Sequence, residues 1–224
     1  ADGSVYARVV RYALGRRSRV PYTLVDMAED GFGLLDHLGI AAANITGVSM
    51  GGMIAQTMAI ARPARVRSLV SIMSTTGRRT VGWQDPRLIP VLLAPRGDDK
   101  ASYSAGARKV GLLIGSPGFP ETEESSRARA EETFDRGVTP AGVARQMLAV
   151  LTQPDRAKAL HALRMPAAVI HGMDDRMVHP SGGRATARAI PGANLLLVPG
   201  MGHDLPVALH QTFVDVIRQT ADKA

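Results

Sequence analysis

The sequence contains no cysteine, which excludes disulfides, thiolate metal sites and a thiol nucleophile together. It has no apolar run near the roughly 18 residues that a membrane-spanning helix needs. The opening stretch, ADGSVYARVV, lacks the apolar core of a secretory signal, so a cytoplasmic protein is expected. Acid is in short supply. Twenty carboxylates stand against 27 cations, for a formal charge of +7. Arginine supplies 23 of those cations, mostly spread singly, and the one cluster, RVVRYALGRRSR, holds five arginines between Arg8 and Arg19. Diffuse positive charge with no nucleic-acid motif reads as a solvated surface, so neither nucleic acid nor a membrane is expected as a partner.

What is present suits one domain with a full core: 224 residues, 45% hydrophobic and 21% charged. SVYARVVRY (4–12) reads as a strand. PYTLVDMAEDGFGLLDHLGI then reads as a helix. Thr23 is placed to cap it, with Asp26 three residues on, and Leu24, Met27, Leu34, Leu35 and Leu38 recur at helical spacing up to a stop at Gly39. NITGVS and RVRSLVSIM read as strands, separated by a helix, MGGMIAQTMAIARP, that Pro63 ends. From Gly82 to about His161 the texture is helical pieces broken by proline and glycine, with no clear strand. Strand texture returns at PAAVIHG and ANLLLVPG around a helix-like SGGRATARAI. A terminal helix follows, for which Val207, Leu209, Phe213, Val214 and Ile217 are the expected packed face. Alternating buried strands and helices predict an α/β fold, a mostly parallel sheet flanked by helices.

Chemistry concentrates at Gly47-Val48-Ser49-Met50-Gly51, between a strand and a helix. A serine hydroxyl attacks only with a base in reach, a group to orient that base, and donors for the oxyanion. Glycines on either side permit a sharp strand-to-helix bend, with Ser49 projecting at a helix N-terminus. Alone, the pattern also describes any glycine-rich loop before a helix. Two further pieces follow in order: Asp174 and Asp175 after the strand PAAVIHG, and His203 in a Gly-Met-Gly-His loop after ANLLLVPG. Either aspartate could instead cap the helix near Ser181, and His203 could be a plain loop histidine. His171, His179 and His210 compete for the base role, but they fall at a strand end, before a proline and inside a helix.

The segments YTLVDMAEDGFGLLDHLGI, ITGVSMGGMIAQTMAIARPARVRSLVSIMSTTG and PAAVIHGMDDRMVHPSGGRATARAIPGANLLLVPGMGHDLP resemble the α/β-hydrolase superfamily. They are most similar to its branch of aclacinomycin methylesterase-like and related carboxylesterases, over roughly residues 8–218. The resemblance implies a carboxylic ester hydrolase for small or short-chain esters, with no cofactor and no metal. Ser49 would be the nucleophile and His203 the base. The acid lies three residues after the glycine of HGxxD, which selects Asp175. The N–H of Met50, beside Gly51, would be an oxyanion donor. Residues 1–81 and 162–224 would form the hydrolase core and 82–161 a helical cap, where Trp83, Leu92, Leu93, Met147 and Leu148 are candidate acyl-pocket residues or cap core.

The chain departs from that family at one end. RVVRYALGRR resembles the family's fourth strand, with Ala13 where an aspartate is usual. The resemblance therefore implies a reduced fold, N-terminally truncated, lacking the loop that supplies a second oxyanion donor. Loss of one such donor costs about 10²–10³-fold in turnover. A catalytically weak or dead remnant serving as a binding or scaffold protein is thus the alternative. The incomplete sheet edge implies a homo-oligomer that covers it.

Overall fold

The computed structural model describes residues 20–94, 97 and 99–224; the strand expected at 4–12 lies outside them. Four parallel strands form one sheet in the order β1 (Ala43–Val48), β2 (Val66–Ile72), β3 (Ala167–Gly172) and β4 (Asn194–Val198). The flanking helices are α1 (Leu24–His37), α2 (Met50–Ala61), α8 (Ser181–Ala189) and α9 (His210–Ala221). Between β2 and β3 lie α3 (Ile89–Leu93), α4 (Lys100–Ile114), α5 (Glu123–Asp135), α6 (Pro140–Leu151) and α7 (Ala157–Leu160). The α/β architecture expected from the strand–helix alternation is present. Among the described residues no helix is long and apolar enough to cross a membrane.

The period of two along a strand sends neighbouring residues to opposite faces, and β2 divides the core accordingly. Leu69 packs with Phe32 of α1, Met58 of α2, Leu160 of α7 and Ile190. Its neighbour Val70 joins Ile170, Met201 and Phe213 of α9 on the other side. Both faces of the sheet are therefore covered, and β2 and β3 are buried along almost their whole length.

α1 begins as expected. The Thr23 hydroxyl accepts from the N–H groups of Val25 and Asp26, while the Asp26 carboxylate accepts from the Thr23 N–H at 2.7 Å. Its buried stripe is Leu24, Ala28 and Phe32, with Met27 and Leu35 half-buried. Leu34 and Leu38 fall off that i, i+4 stripe and face solvent. The terminal helix needs a similar correction. Residues Val207–Leu209 form a 3₁₀ turn before α9. Val207 is therefore exposed and Val214 sits on the outer face, whereas Leu209 and Phe213 are buried.

One buried cation ties the helical stretch between β2 and β3 to the sheet. Arg156 donates to Gln56 Oε1 on α2 at 3.2 Å, to the Thr75 carbonyl after β2 at 2.8 Å, and to Gln153 Oε1 at 2.8 Å. Burial pulls its guanidinium down to about 10, against the opposing charge of Asp155. Hydrogen bonds to oxygen atoms thus replace its hydration shell. Arg156→Met should leave those acceptors unpaired and lower unfolding free energy by about 1–3 kcal/mol in urea titration. A midpoint equal to that of the parent protein would contradict this role.

Candidate active site

The serine turn is built by close backbone approach. A Cβ on Gly47 would stand 2.1 Å from the Gly51 carbonyl oxygen, and one on Gly52 would stand 2.7 Å from Ser74 Cβ. Only glycine lets β1 and α2 meet at this angle. Gly51 itself has open space where a Cβ would go, so the crowding expected at Gly51 falls on Gly52. Between them Ser49 takes φ 55° and ψ −117°, a conformation that costs a non-glycine residue energy. Its N–H donates to the Ile72 carbonyl at 2.8 Å, holding the turn against the end of β2. Ser49 is the N-cap of α2, and its carbonyl accepts from the Gly52 and Met53 N–H groups. The leading N–H groups of the helix, Met50 and Gly51, have no intrahelical acceptor by construction.

Three side chains from distant parts of the chain converge here. The Ser49 hydroxyl lies 2.9 Å from His203 Nε2, and His203 Nδ1 lies 2.7 Å from Asp175 Oδ2. Asp175 follows β3 and is fully buried, and its Oδ1 accepts from the Met177 and Val178 N–H groups at 2.9 and 2.8 Å. That chain of bonds fixes the donors: Nδ1–H of His203 gives to the carboxylate, and Nε2 accepts from the serine. Burial pushes the Asp175 carboxyl upward. The donors from His171 and His203, the charge of the His203 ring and the Val178 N–H outweigh it, and the group is held below its usual range.

Neither aspartate caps α8, contrary to one expectation. That helix follows Pro180 with no side-chain cap. Asp174 instead accepts from the Gly200 N–H at 2.9 Å, and its own N–H donates to the Met201 carbonyl at 2.9 Å. The pair divides the labour: Asp175 faces the imidazole and Asp174 anchors the loop that carries it. Among the described histidines His203 is the one bonded to Ser49, and the competitors take other partners. His179 stacks on Trp83 with ring centroids 4.1 Å apart, and exposed His210 binds the Leu205 carbonyl. His171 is wholly buried beneath Asp175, 3.3 Å from its Oδ2.

Ser116, which no sequence motif marks, holds the same loop from the other side. Its buried hydroxyl donates to Asp204 Oδ1 and accepts from the Gly202 N–H at 2.8 Å. The His203 N–H donates to the Ile114 carbonyl at 2.6 Å, and the Gly118 N–H to the Gly200 carbonyl at 2.9 Å. A Cβ on Gly202 would stand 2.3 Å from the Gly115 carbonyl oxygen. The end of α4 therefore lies directly on the histidine loop. Beside His203 opens a cavity of about 340 Å³, lined by α4 residues, Ser116, Arg129, Asp174, Arg176 and Asp204. Its wall is mixed, with Leu112, Leu113 and Ile114 beside two ion pairs, Arg129 with Glu121 and Arg108 with Glu123. The expected apolar residues do not line it. Trp83 is half exposed on His179, Leu148 is fully buried, Leu92 and Met147 are half-buried, and the Leu93 side chain is not among the described ones. Among the described residues no group of three or more histidine, cysteine or carboxylate side chains could hold a metal ion.

The sequence profile of the alpha/beta hydrolase fold family matches residues 14–207. Similar curated proteins include the rhodomycin D methylesterase of Streptomyces peucetius, 26% identical over 238 residues, covering 93% of this chain and 79% of that protein. The pimeloyl-[acyl-carrier protein] methyl ester esterase of Chromobacterium violaceum is 26% identical over 187 residues, covering 79% and 69%. Among solved structures, the enol-lactonase of Burkholderia xenovorans LB400 superposes with a TM-score of 0.69 at 23% identity, covering 92% of this chain and 75% of that one. A thermophilic esterase from Thermogutta terrifontis gives 0.64 at 23% identity, with the same coverage. These two superpositions show the shared fold.

The Asp175 environment sets a pH dependence with a definite sign. A carboxyl held below 3.8 in the folded state adds stability that is fully present above the unfolded value. That contribution is lost as pH falls through the lower, folded value. The stability of Asp175→Asn should therefore fall less steeply than that of the parent as pH drops below about 4. Parallel curves in urea titrations at a series of pH values would contradict the bonding described here.

Proposed function

The chain belongs to the alpha/beta hydrolase fold family, and on that premise we propose that it is a carboxylic ester hydrolase working through an acyl-enzyme. The supporting observation is the unbroken chain of hydrogen bonds Ser49–His203–Asp175. In this reading Ser49 Oγ attacks the ester carbonyl carbon while its proton passes to His203 Nε2. Asp175 stabilises the imidazolium and keeps the ring in the required tautomer. The N–H of Met50, with that of Gly51 behind it, faces the developing oxyanion at the N-terminus of α2. Collapse of the tetrahedral adduct expels the alkoxide, which takes the proton from Nε2, and leaves the acyl group on Ser49. Water then gives a proton to Nε2 and attacks the acyl carbon, and a second collapse returns the proton to Ser49 and frees the acid.

Two similar proteins are named as methyl ester hydrolases, which supports esters with a small alcohol as the first substrates to test. Residues 82–161 are proposed as a helical cap on a core of 1–81 and 162–224, since α4 ends against the His203 loop. A homo-oligomer is proposed on the position of β1, one of the two outer strands of the sheet among the described residues. Sedimentation at micromolar concentration should then show more than one copy, and a compact monomer would remove that part.

The esterase reading is tested with p-nitrophenyl acetate and butyrate. The parent protein should turn both over with saturation, and Ser49→Ala should lose at least about 10³-fold in kcat. Equal rates in the two proteins would leave a hydrolase-shaped binding protein instead.

A further inference from the structure

A second histidine reaches the same carboxylate oxygen as His203. His171, the fifth residue of β3, is wholly buried, and its Nε2 lies 2.8 Å from the Val178 carbonyl and 3.3 Å from Asp175 Oδ2. A carbonyl oxygen only accepts, so Nε2 carries the ring proton. The other nitrogen, Nδ1, is buried with no hydrogen-bond partner among the described residues. A proton there would have no acceptor, which makes Nδ1 the bare nitrogen of this ring. α8 leaves room for the ring by presenting glycine. A Cβ on Gly183 would stand 2.5 Å from Nδ1. Helix, strand and turn thus converge to hold one imidazole in one tautomer beneath Asp175.

We propose that His171 is a positioning residue for this site: a buried imidazole whose Nε2–H, shared between Val178 and Asp175, holds the carboxylate in register with His203. The proposal rests on the reading of Asp175 as the acid of an esterase. Oδ1 is bound by the Met177 and Val178 N–H groups, whereas Oδ2 has, among the described residues, only the two histidines. Without His171 the whole of the Oδ2 charge is directed at His203. The carboxylate also becomes free to turn about its Oδ1 anchor, so the imidazolium is stabilised too early and aimed less well. Asp175 is the one ionisable side chain within ion-pair distance of His171 among the described residues. The remaining charged groups near His203 are the two cavity ion pairs, Asp174, Arg176 and Asp204, and none of them changes in the experiment.

The test reads the His203 ring by NMR titration in the full chain, with its signal assigned from His203→Gln. His171→Leu removes the donor at similar volume, and His171→Gln returns an N–H near the position of Nε2. The expected result is an upward displacement of the His203 titration by about half to one unit in His171→Leu, with His171→Gln close to the parent. On p-nitrophenyl acetate, kcat should fall about 10- to 100-fold in His171→Leu, the rate equivalent of one hydrogen bond to a charged group, with KM little changed. An unmoved His203 titration in folded His171→Leu would overturn the proposal. Should that variant not fold, the ¹⁵N shifts of His171 in the parent protein decide: a protonated Nε2 with a bare Nδ1 supports it, and the reverse tautomer overturns it. Absence of ester turnover in the parent would strike the esterase reading alone, because the titration and the tautomer are read without substrate.

Discussion

The constraint on which the site depends is the contact between the backbones of β1 and α2 at Ser49. Gly47 and Gly52 are glycines because carbonyl and side-chain atoms already occupy the places of their Cβ atoms. That contact forces the positive φ of Ser49, and the bond from its N–H to Ile72 makes the strain tolerable. Packing then propagates from the turn. α2 is buried along most of its length, and its buried Gln56 is satisfied by donating to the Ser71 hydroxyl across the helix–sheet interface. Arg156 closes the same network from the far side of the helical stretch.

Parallel strands send their C-terminal ends to one edge of the sheet, and the loops after β1, β3 and β4 meet there. A loop is precise only as far as it is anchored. The His203 loop has anchors on two sides: the carboxylate and N–H of Asp174 after β3, which bind the Gly200 N–H and the Met201 carbonyl, and Ile114, Ser116 and Gly118 at and just beyond the end of α4. The stretch between β2 and β3 therefore reaches the site directly. It supplies hydrogen-bond partners that set the position of the imidazole.

Burial explains the electrostatics. A carboxylate removed from water must be paired or hydrogen-bonded to stay charged. Asp175 has main-chain donors on one oxygen and imidazole nitrogens near the other, enough to hold its carboxyl below the usual range against the upward push of burial. Arg156 is handled differently, by neutral oxygens, and its guanidinium is held less strongly as a result.

Much of this was legible along the chain because it is local. Strand–helix alternation, the Thr23–Asp26 cap, the glycine-flanked Ser49 and the order of serine, aspartate and histidine all follow from residue spacing and short-range sterics. Helical spacing alone misassigned Val207 and Val214 to the packed face and did not show that Leu34 and Leu38 face solvent. Which side of a helix is buried depends on the neighbour it meets, and spacing does not identify that neighbour. The roles of Asp174, Ser116 and His171 were not legible for the same reason. Each acts on a group 26, 86 or four residues away, and none carries a motif. The sequence by itself determined the fold class and which residue types could meet; the tertiary structure decided the rest, because a hydrogen bond between distant segments exists only once packing has fixed both partners.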